Sequence, residues 1–278
     1  MTSRPYAAAQ VAFATMHGKD RLARQPFRDI LGADVFATPD LDTDQFGTFA
    51  GDIPRILKPV EAARVKARLG MHIAGTPYGL ASEGSFSATL GIWVEHYELL
   101  IFTDATRGLE LVESSVATSA LPASRRVTSA DDAVAFAAGI GFPVQGVVLT
   151  GGTAGERIYR SLTSVGALIE TMEDLISTSD GQVVIAPDYR SHRCPSRAEV
   201  IADLARRMAV RLATPCPACH TPGFGKVNIE TGLNCGDCGE PTTAIAADIL
   251  GCGQCSHTVR RPRADRWASA EWCDSCNP

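Results

Sequence analysis

Four Cys-x-x-Cys pairs follow one another near the C-terminus: Cys216/Cys219, Cys235/Cys238, Cys252/Cys255 and Cys273/Cys276. Eight thiolates in this spacing match two tetrahedral, four-sulfur zinc shells, each built from two tight turns. Gly236 and Gly239 in the second turn let backbone amides approach the sulfurs. The gaps between successive pairs are 15, 13 and 17 residues. The two longer gaps fall in the usual zinc-ribbon range, which favours sequential pairing (first with second, third with fourth) over nested or crossed pairing. Disulfides and a dithiol redox role are the competing readings. Against them stand the absence of a signal-like pattern in Met1–Gln10 and the repetition of the motif. A closed four-cysteine shell has no open position, so two structural zinc ions are expected here, not zinc catalysis. His220 and His257 lie beside the turns and could each replace a cysteine, but eight cysteines already fill two sites.

The rest of the chain is long enough for one large core. At 278 residues, 45% hydrophobic and net charge -5, the sequence reads as an α/β domain over 1–212 followed by a zinc-ribbon-like domain over 213–278. No apolar run reaches membrane-spanning length, so a cytoplasmic protein without membrane contact is expected. The acidic balance disfavours general nucleic-acid coating. In the tail, Arg260, Arg261, Arg263 and Arg266 form the one basic run, whose plainer reading is a solvated hairpin.

Short β-branched runs alternate with helical stretches before the tail. Strands are expected at 11–15, 33–37, 78–82, 92–103, 109–118, 146–150 and 182–186. Helices are expected at 19–31, 54–72, 129–138, 156–176 and 197–212. Ser129 is the expected N-cap of its helix, with Asp131 and Asp132 in the first turn. Alternation of this kind predicts a three-layer α/β domain, with a mostly parallel sheet and helices on both faces. The strands at 92–103 and 109–118 are expected to run antiparallel.

Polar clusters follow the strands directly, and a parallel sheet would gather them at its carboxyl edge. Asp42, Asp44 and Glu83, with Asp104, carry the oxygens that Mg²⁺ prefers. Lys19, Arg55, Arg190 and Arg193 suit a phosphate. Gly18 and Gly47 allow backbone amides to approach an anion, and Thr48 and Ser85 lie in the same clusters. His17 or His192 could move protons. Plainer readings stand beside these. Asp-Thr-Asp is a common loop sequence. Lys19, Arg55 and Lys66 read equally as surface residues of helices. Glu95, His96 and Glu98 read as ordinary strand positions, although Glu98 borders an apolar run. Cys194 reads as a spectator thiol rather than a nucleophile. Thr150-Gly151-Gly152 lacks the lysine and spacing of a phosphate loop.

Thr15-Met16-His17-Gly18-Lys19, Asp42-Thr43-Asp44 with Phe46-Gly47-Thr48-Phe49, Ala81-Ser82-Glu83-Gly84-Ser85-Phe86 and Cys273-Asp274-Ser275-Cys276-Asn277-Pro278 together resemble an uncharacterised bacterial family of unknown function. The resemblance implies a body fused to a ribbon and supplies no catalytic residues. The chain departs from that pattern at Ser87-Ala88-Thr89 and at Cys194, where an asparagine would be more typical.

The expectation from sequence is a metal-assisted enzyme acting on a phosphorylated or nucleotide-like ligand, of the Mg-dependent hydrolase or phosphoryl/nucleotidyl transferase kind. Asp42, Asp44 and Glu83 would place the metal, Lys19 and Arg190 would hold the anion, and the ribbon would be structural. The alternative is a non-enzymatic zinc-ribbon module that binds nucleic acid or a protein partner and is carried on an α/β scaffold.

Overall fold

The computed structural model describes residues 4–38, 41–43, 56–89, 93–152, 158–178 and 183–278. They divide into a body, Tyr6–Met208, and a tail unit, Ala209–Pro278, which also takes in Arg4 and Pro5. In chain order the body holds β1 (Gln10–Phe13), α1 (Asp20–Pro26), a π-helical turn (Phe27–Leu31), β2 (Asp34–Ala37), α2 (Pro59–Ala74), β3 (Tyr78–Thr89), β4 (Trp93–Asp104) and β5 (Leu109–Ser119). It continues with β6 (Arg125–Val127), α3 (Ala130–Gly139), β7 (Val147–Gly151), β8 (Ile158–Leu162), α4 (Val165–Thr178), β9 (Val183–Pro187) and α5 (Pro195–Leu212), whose last turn passes into the tail. The tail contributes β10 (Gly225–Thr231), β11 (Ile245–Gly251) and β12 (Thr258–Pro262).

The body contains two sheets, ordered β2-β1-β3-β4-β5 and β6-β9-β7-β8. This corrects the expectation of one mostly parallel sheet. Among the body's described strands, only β1 pairs in parallel, with β2 and with β3. The pairs β3/β4, β4/β5, β6/β9, β7/β8 and β7/β9 are antiparallel. Connection length explains the difference. Residues 90–92 join β3 to β4, and Ala105–Gly108 join β4 to β5. A parallel pair needs a crossover of about a dozen residues or more, so these connections can only close hairpins. Strand β8 is a second correction, because the sequence pattern predicts mainly helix over 156–176. Ile158–Leu162 pairs with β7, and the helix starts only after Ser164, whose Oγ accepts from Ala167 N at 3.3 Å.

Each sheet has its own core. Helix α2 starts with Pro59 at its first position, where a missing N–H costs nothing, and ends at Gly75 in the left-handed conformation (φ 63°). Its alanines Ala63 and Ala67 pack with Ala81, Leu99 and Ile101. The approach is close: a Cβ at Gly79 would lie 2.6 Å from Met71 Cγ and 2.8 Å from the Ala67 carbonyl. In the second sheet, β7 and β9 each alternate buried with half-buried residues. Val147, Leu149, Val183 and Ile185 close on Leu168, Met172 and Leu175 of α4 and on Ala133 and Phe136 of α3. Each fully buried aliphatic chain contributes about 1.5–3 kcal/mol. Helix α3 is capped as the sequence indicates, with Ser129 Oγ accepting from Asp132 N at 3.1 Å.

The tail is a three-stranded antiparallel meander, β10-β11-β12. Gly225, Gly251 and Thr258 lie side by side at one end, and Glu230, Ala247 and Pro262 near the other. This register decides which cysteines meet.

Candidate functional site

Successive cysteine turns of the tail alternate between the two ends of the meander. The first precedes β10 and the third joins β11 to β12, so they share one end. The second joins β10 to β11 and the fourth follows β12, so they share the other. The strands hold consecutive turns apart by about 3.4 Å per residue. The resulting groups are Cys216, Cys219, Cys252 and Cys255, and Cys235, Cys238, Cys273 and Cys276. Sequential pairing is therefore corrected to crossed pairing.

The sulfurs stand 3.8 Å apart for Cys216/Cys255, 3.6 Å for Cys219/Cys252, 3.9 Å for Cys235/Cys276 and 3.5 Å for Cys238/Cys273. A disulfide needs about 2.05 Å. A tetrahedral Zn–S shell with bonds of about 2.3 Å puts its sulfurs about 3.8 Å apart. Asp237 N donates to Cys235 Sγ and Gln254 N to Cys252 Sγ, as the turn geometry requires. Each group could hold one zinc ion. Neither contains His220 or His257.

The body's site begins at the carboxyl end of β1. Gly18 takes a positive φ of 69° there and starts the turn into α1. Lys19, partly exposed, reaches across to β3, where its Nζ donates to Ser82 Oγ at 2.9 Å and to the Ser82 carbonyl at 3.3 Å. Strand alternation puts Ser82, Gly84 and Phe86 on one face of β3, and the register brings Leu100, Glu98 and His96 of β4 opposite them. Glu98 is fully buried and gripped bidentately by Arg197 of α5, with Nε to Oε2 at 2.8 Å and Nη2 to Oε1 at 3.1 Å. His96 Nε2 lies 3.2 Å from Glu98 Oε2. Arg197 Nη1 donates to the Tyr189 carbonyl at 2.8 Å. Gly84 makes room for the pair, since a Cβ there would collide with Glu98 Oε2 and stand 2.8 Å from Arg197 Nη2. Phe86 stacks between His96 and Tyr189, with ring centroids 4.2 and 3.9 Å away.

The loop after β9 closes the cluster. Buried Asp188 receives Arg190 and the Ser161 hydroxyl. His192 stacks on His17 at 4.8 Å between centroids. The Nε of Arg193 and the hydroxyl of Ser191 are buried without a hydrogen-bond partner among the described residues.

Electrostatics follow from this packing. Burial alone would raise the Glu98 carboxyl, but the Arg197 charge, the His96 hydrogen bond and the Lys19 charge bring it down to about 2. Burial likewise opposes ionisation of Asp188, and the hydrogen bonds from Arg190 and Ser161 still hold it below its ordinary value. Burial, then the neighbouring Arg197 charge, lowers Lys19 to about 8, with Glu98 and Glu83 pulling the other way. Burial and the charges of His17, Arg190 and Arg193 push His192 down to about 4.

The candidates from sequence fare differently. His17, Gly18, Lys19, Arg190 and Arg193 belong to this cluster. Glu83 points to the opposite face of β3, where it pairs with Lys66 of α2, and Ser85 shares that face. Both Glu83 and Lys66 are buried, so Lys66 is not a surface residue. Asp104 lies opposite Tyr78, at one end of the β3/β4 ladder, and is bound by Tyr6, Thr106 and Arg107. Asp42 is exposed, next to Thr43, whose N lies 3.1 Å from Met16 Sδ. Asp44, Gly47, Thr48 and Arg55 lie outside the described residues. Among the described residues, only the two cysteine groups have metal-binding geometry, so Asp42, Glu83 and Asp104 do not gather as a three-carboxylate group. Cys194 is buried, with its sulfur 3.5 Å from Ser196 Oγ.

Sequence reasoning missed the Glu98–Arg197 pair. Its one signal was a carboxylate beside the apolar run Leu99-Leu100-Ile101, in a strand that a helix must cover.

The family described as Domain of unknown function (DUF6671) matches residues 66–278. The chain belongs to that family. The DUF6671 span takes in Lys66, Glu83, Gly84, Glu98, Arg197 and all eight tail cysteines, whereas His17–Lys19 precede it. No curated protein matches the chain. Among solved structures, a PelC dodecamer variant from Paraburkholderia phytofirmans is similar over 42% of this chain and 74% of that one, at 16% identity and a TM-score of 0.21. A likeness of that size carries no conclusion about the fold or the site.

Proposed function

We propose that the body is an enzyme that binds a small phosphorylated or nucleotide-like anion at the carboxyl edge of β1 and the adjoining face of β3, while the tail is a structural two-zinc module. The observation that carries this reading is the charge balance around Lys19. Glu83 and Glu98 are each engaged by another cation, Lys66 and Arg197. Among the described residues Lys19 has no carboxylate within ion-pair distance, and its ammonium donates to Ser82. A partly desolvated cation without a counter-ion favours an anionic ligand. Arg190, Arg193 and the His17–His192 stack supply further positive or proton-carrying groups in the same cluster. The reading needs no carboxylate-bound metal.

Thermal melts of zinc-loaded protein with inorganic phosphate, sugar phosphates and nucleotides test it. Binding to the folded state raises the melting temperature by mass action. The expected result is a rise with one ligand class that Lys19→Met abolishes. A rise that survives Lys19→Met, or none with any of these anions, would count against the reading.

A second reading, partner binding through the tail, has one observation in its favour. Trp267 and Trp272 are about half exposed, and the Arg266 guanidinium lies 5.9 Å from the Trp267 ring centre. The basic run supports it less than the sequence did, because Arg260 pairs with Glu230 and Arg263 with Asp248. A salt-sensitive complex with single-stranded nucleic acid that is lost in Trp267→Ala would favour it.

A further inference from the structure

We infer that Lys19 is an amine nucleophile, and that the substrate of the anion site carries an aldehyde or ketone which this lysine captures as an imine. The inference rests on the proposed anion site and names the reactive group of its ligand. Lysine occurs at four positions only: Lys19, Lys58, Lys66 and Lys226. Lys66 is locked to Glu83 and Lys226 pairs with Asp248, while Lys58 is exposed at the start of α2. Lys19 alone combines partial burial with the absence of a carboxylate partner among the described residues. Its amine lies within the electrostatic reach of two other cations, Arg197 from α5 and, on the opposite face of β3, Lys66 from α2, and of two carboxylates those cations already engage, Glu98 on β4 and Glu83 on β3. Such surroundings favour the neutral amine. A group brought from 10.5 to about 8 is neutral on the order of 300 times more often near neutral pH than an ordinary lysine. Desolvation beside another cation is the known route to a reactive lysine. The Ser82 contacts fix where the nitrogen sits without neutralising it.

The step balances without oxidant or reductant. The Nζ lone pair attacks the carbonyl carbon, the C=O π pair moves to oxygen, and a proton passes from nitrogen to oxygen to give a carbinolamine. The nitrogen then forms C=N as the hydroxyl leaves with a proton as water. The substrate's anionic group, held by the cationic loop after β9, would fix the carbonyl beside the amine.

Pyridoxal phosphate is a suitable probe because it carries both an aldehyde and a phosphate. The full-length, zinc-loaded protein is mixed with it at equal concentration near neutral pH, reduced with borohydride and mapped by peptide mass spectrometry. The expected result is labelling of Lys19 on the order of 10-fold above the other three lysines together. Excess inorganic phosphate should suppress it, and Lys226→Arg should leave it unchanged. Lys19→Arg, which keeps the charge, should abolish the adduct while retaining the phosphate-induced rise in melting temperature. Labelling spread over Lys58 and Lys226 with Lys19 untouched would overturn the inference. If phosphate still raises the melting temperature in that case, the anion site stands and only the imine chemistry falls. If phosphate has no effect either, both fall.

Discussion

Replacing Glu98 by Gln should destabilise the body in a way that fades with acid. The substitution leaves Arg197, 1% exposed, with no carboxylate on its bidentate face. Removing one member of a buried pair costs about 3–5 kcal/mol. Proton linkage gives an independent figure. The Glu98 carboxyl falls from 4.5 to about 2 on folding, which corresponds to about 3 kcal/mol. Because the folded-state value is depressed, this stability is present above the ordinary carboxylate value and is lost as pH falls through about 2. Glu98→Gln cannot titrate, so its deficit should be full at neutral pH and shrink as the wild-type carboxyl protonates. Hydrogen-exchange mass spectrometry on β3 and β4 peptides reads the body separately from the tail, whose metal ligands must be deprotonated to bind. A loss of about 3 kcal/mol appears there as roughly 100-fold faster exchange at neutral pH if these strands open globally. Exchange equal to wild type at neutral pH, or a deficit that stays constant down to about pH 3, would refute the reasoning.

Other outcomes follow from the same geometry. Gly84→Ala should open the same strands, because its Cβ would collide with Glu98 Oε2, and denaturant melts should show a loss similar to that of Glu98→Gln. Ser129→Ala should cost about 1 kcal/mol in a denaturant melt by removing the bond to Asp132 N. Chelation should unfold residues 209–278 and leave the body's amides protected, with metal analysis of the native protein giving two zinc ions per chain. Crossed ligation also means that Cys216→Ser combined with Cys255→Ser loses one zinc ion, whereas under sequential ligation the same double variant would lose two.

Much of the secondary structure could be read from the sequence, because apolar runs, caps and proline positions are local signals. The helix expected at 129–138 carries its own cap and acidic first turn, and the structure places it at Ala130–Gly139. Sheet direction was harder. The brevity of the β3–β4 and β4–β5 connections contains the answer, but the strand signal at 78–82 stops well short of Thr89, which conceals the hairpin. Strand β8 is hidden because Ile158-Tyr159 borders a strongly helical stretch. The cysteines announce a metal module, whereas their pairing depends on three short strands that Cys spacing does not reveal. In the site, Lys19 and the 190–193 loop stand out as polar clusters after strands. Glu98 and Arg197 are 99 residues apart, and only the tertiary fold brings the first turn of α5 to β4.

The proposed chemistry of the body depends on Lys19 being an amine without a carboxylate partner among the described residues. Its charge state can be read directly by titrating the Nζ resonance of isotopically labelled lysine, with only three other lysines to assign. A midpoint near 8 is expected, rising when inorganic phosphate is added, because an anion stabilises the ammonium it binds. A midpoint at the ordinary lysine value of 10.5, indifferent to phosphate, would contradict it.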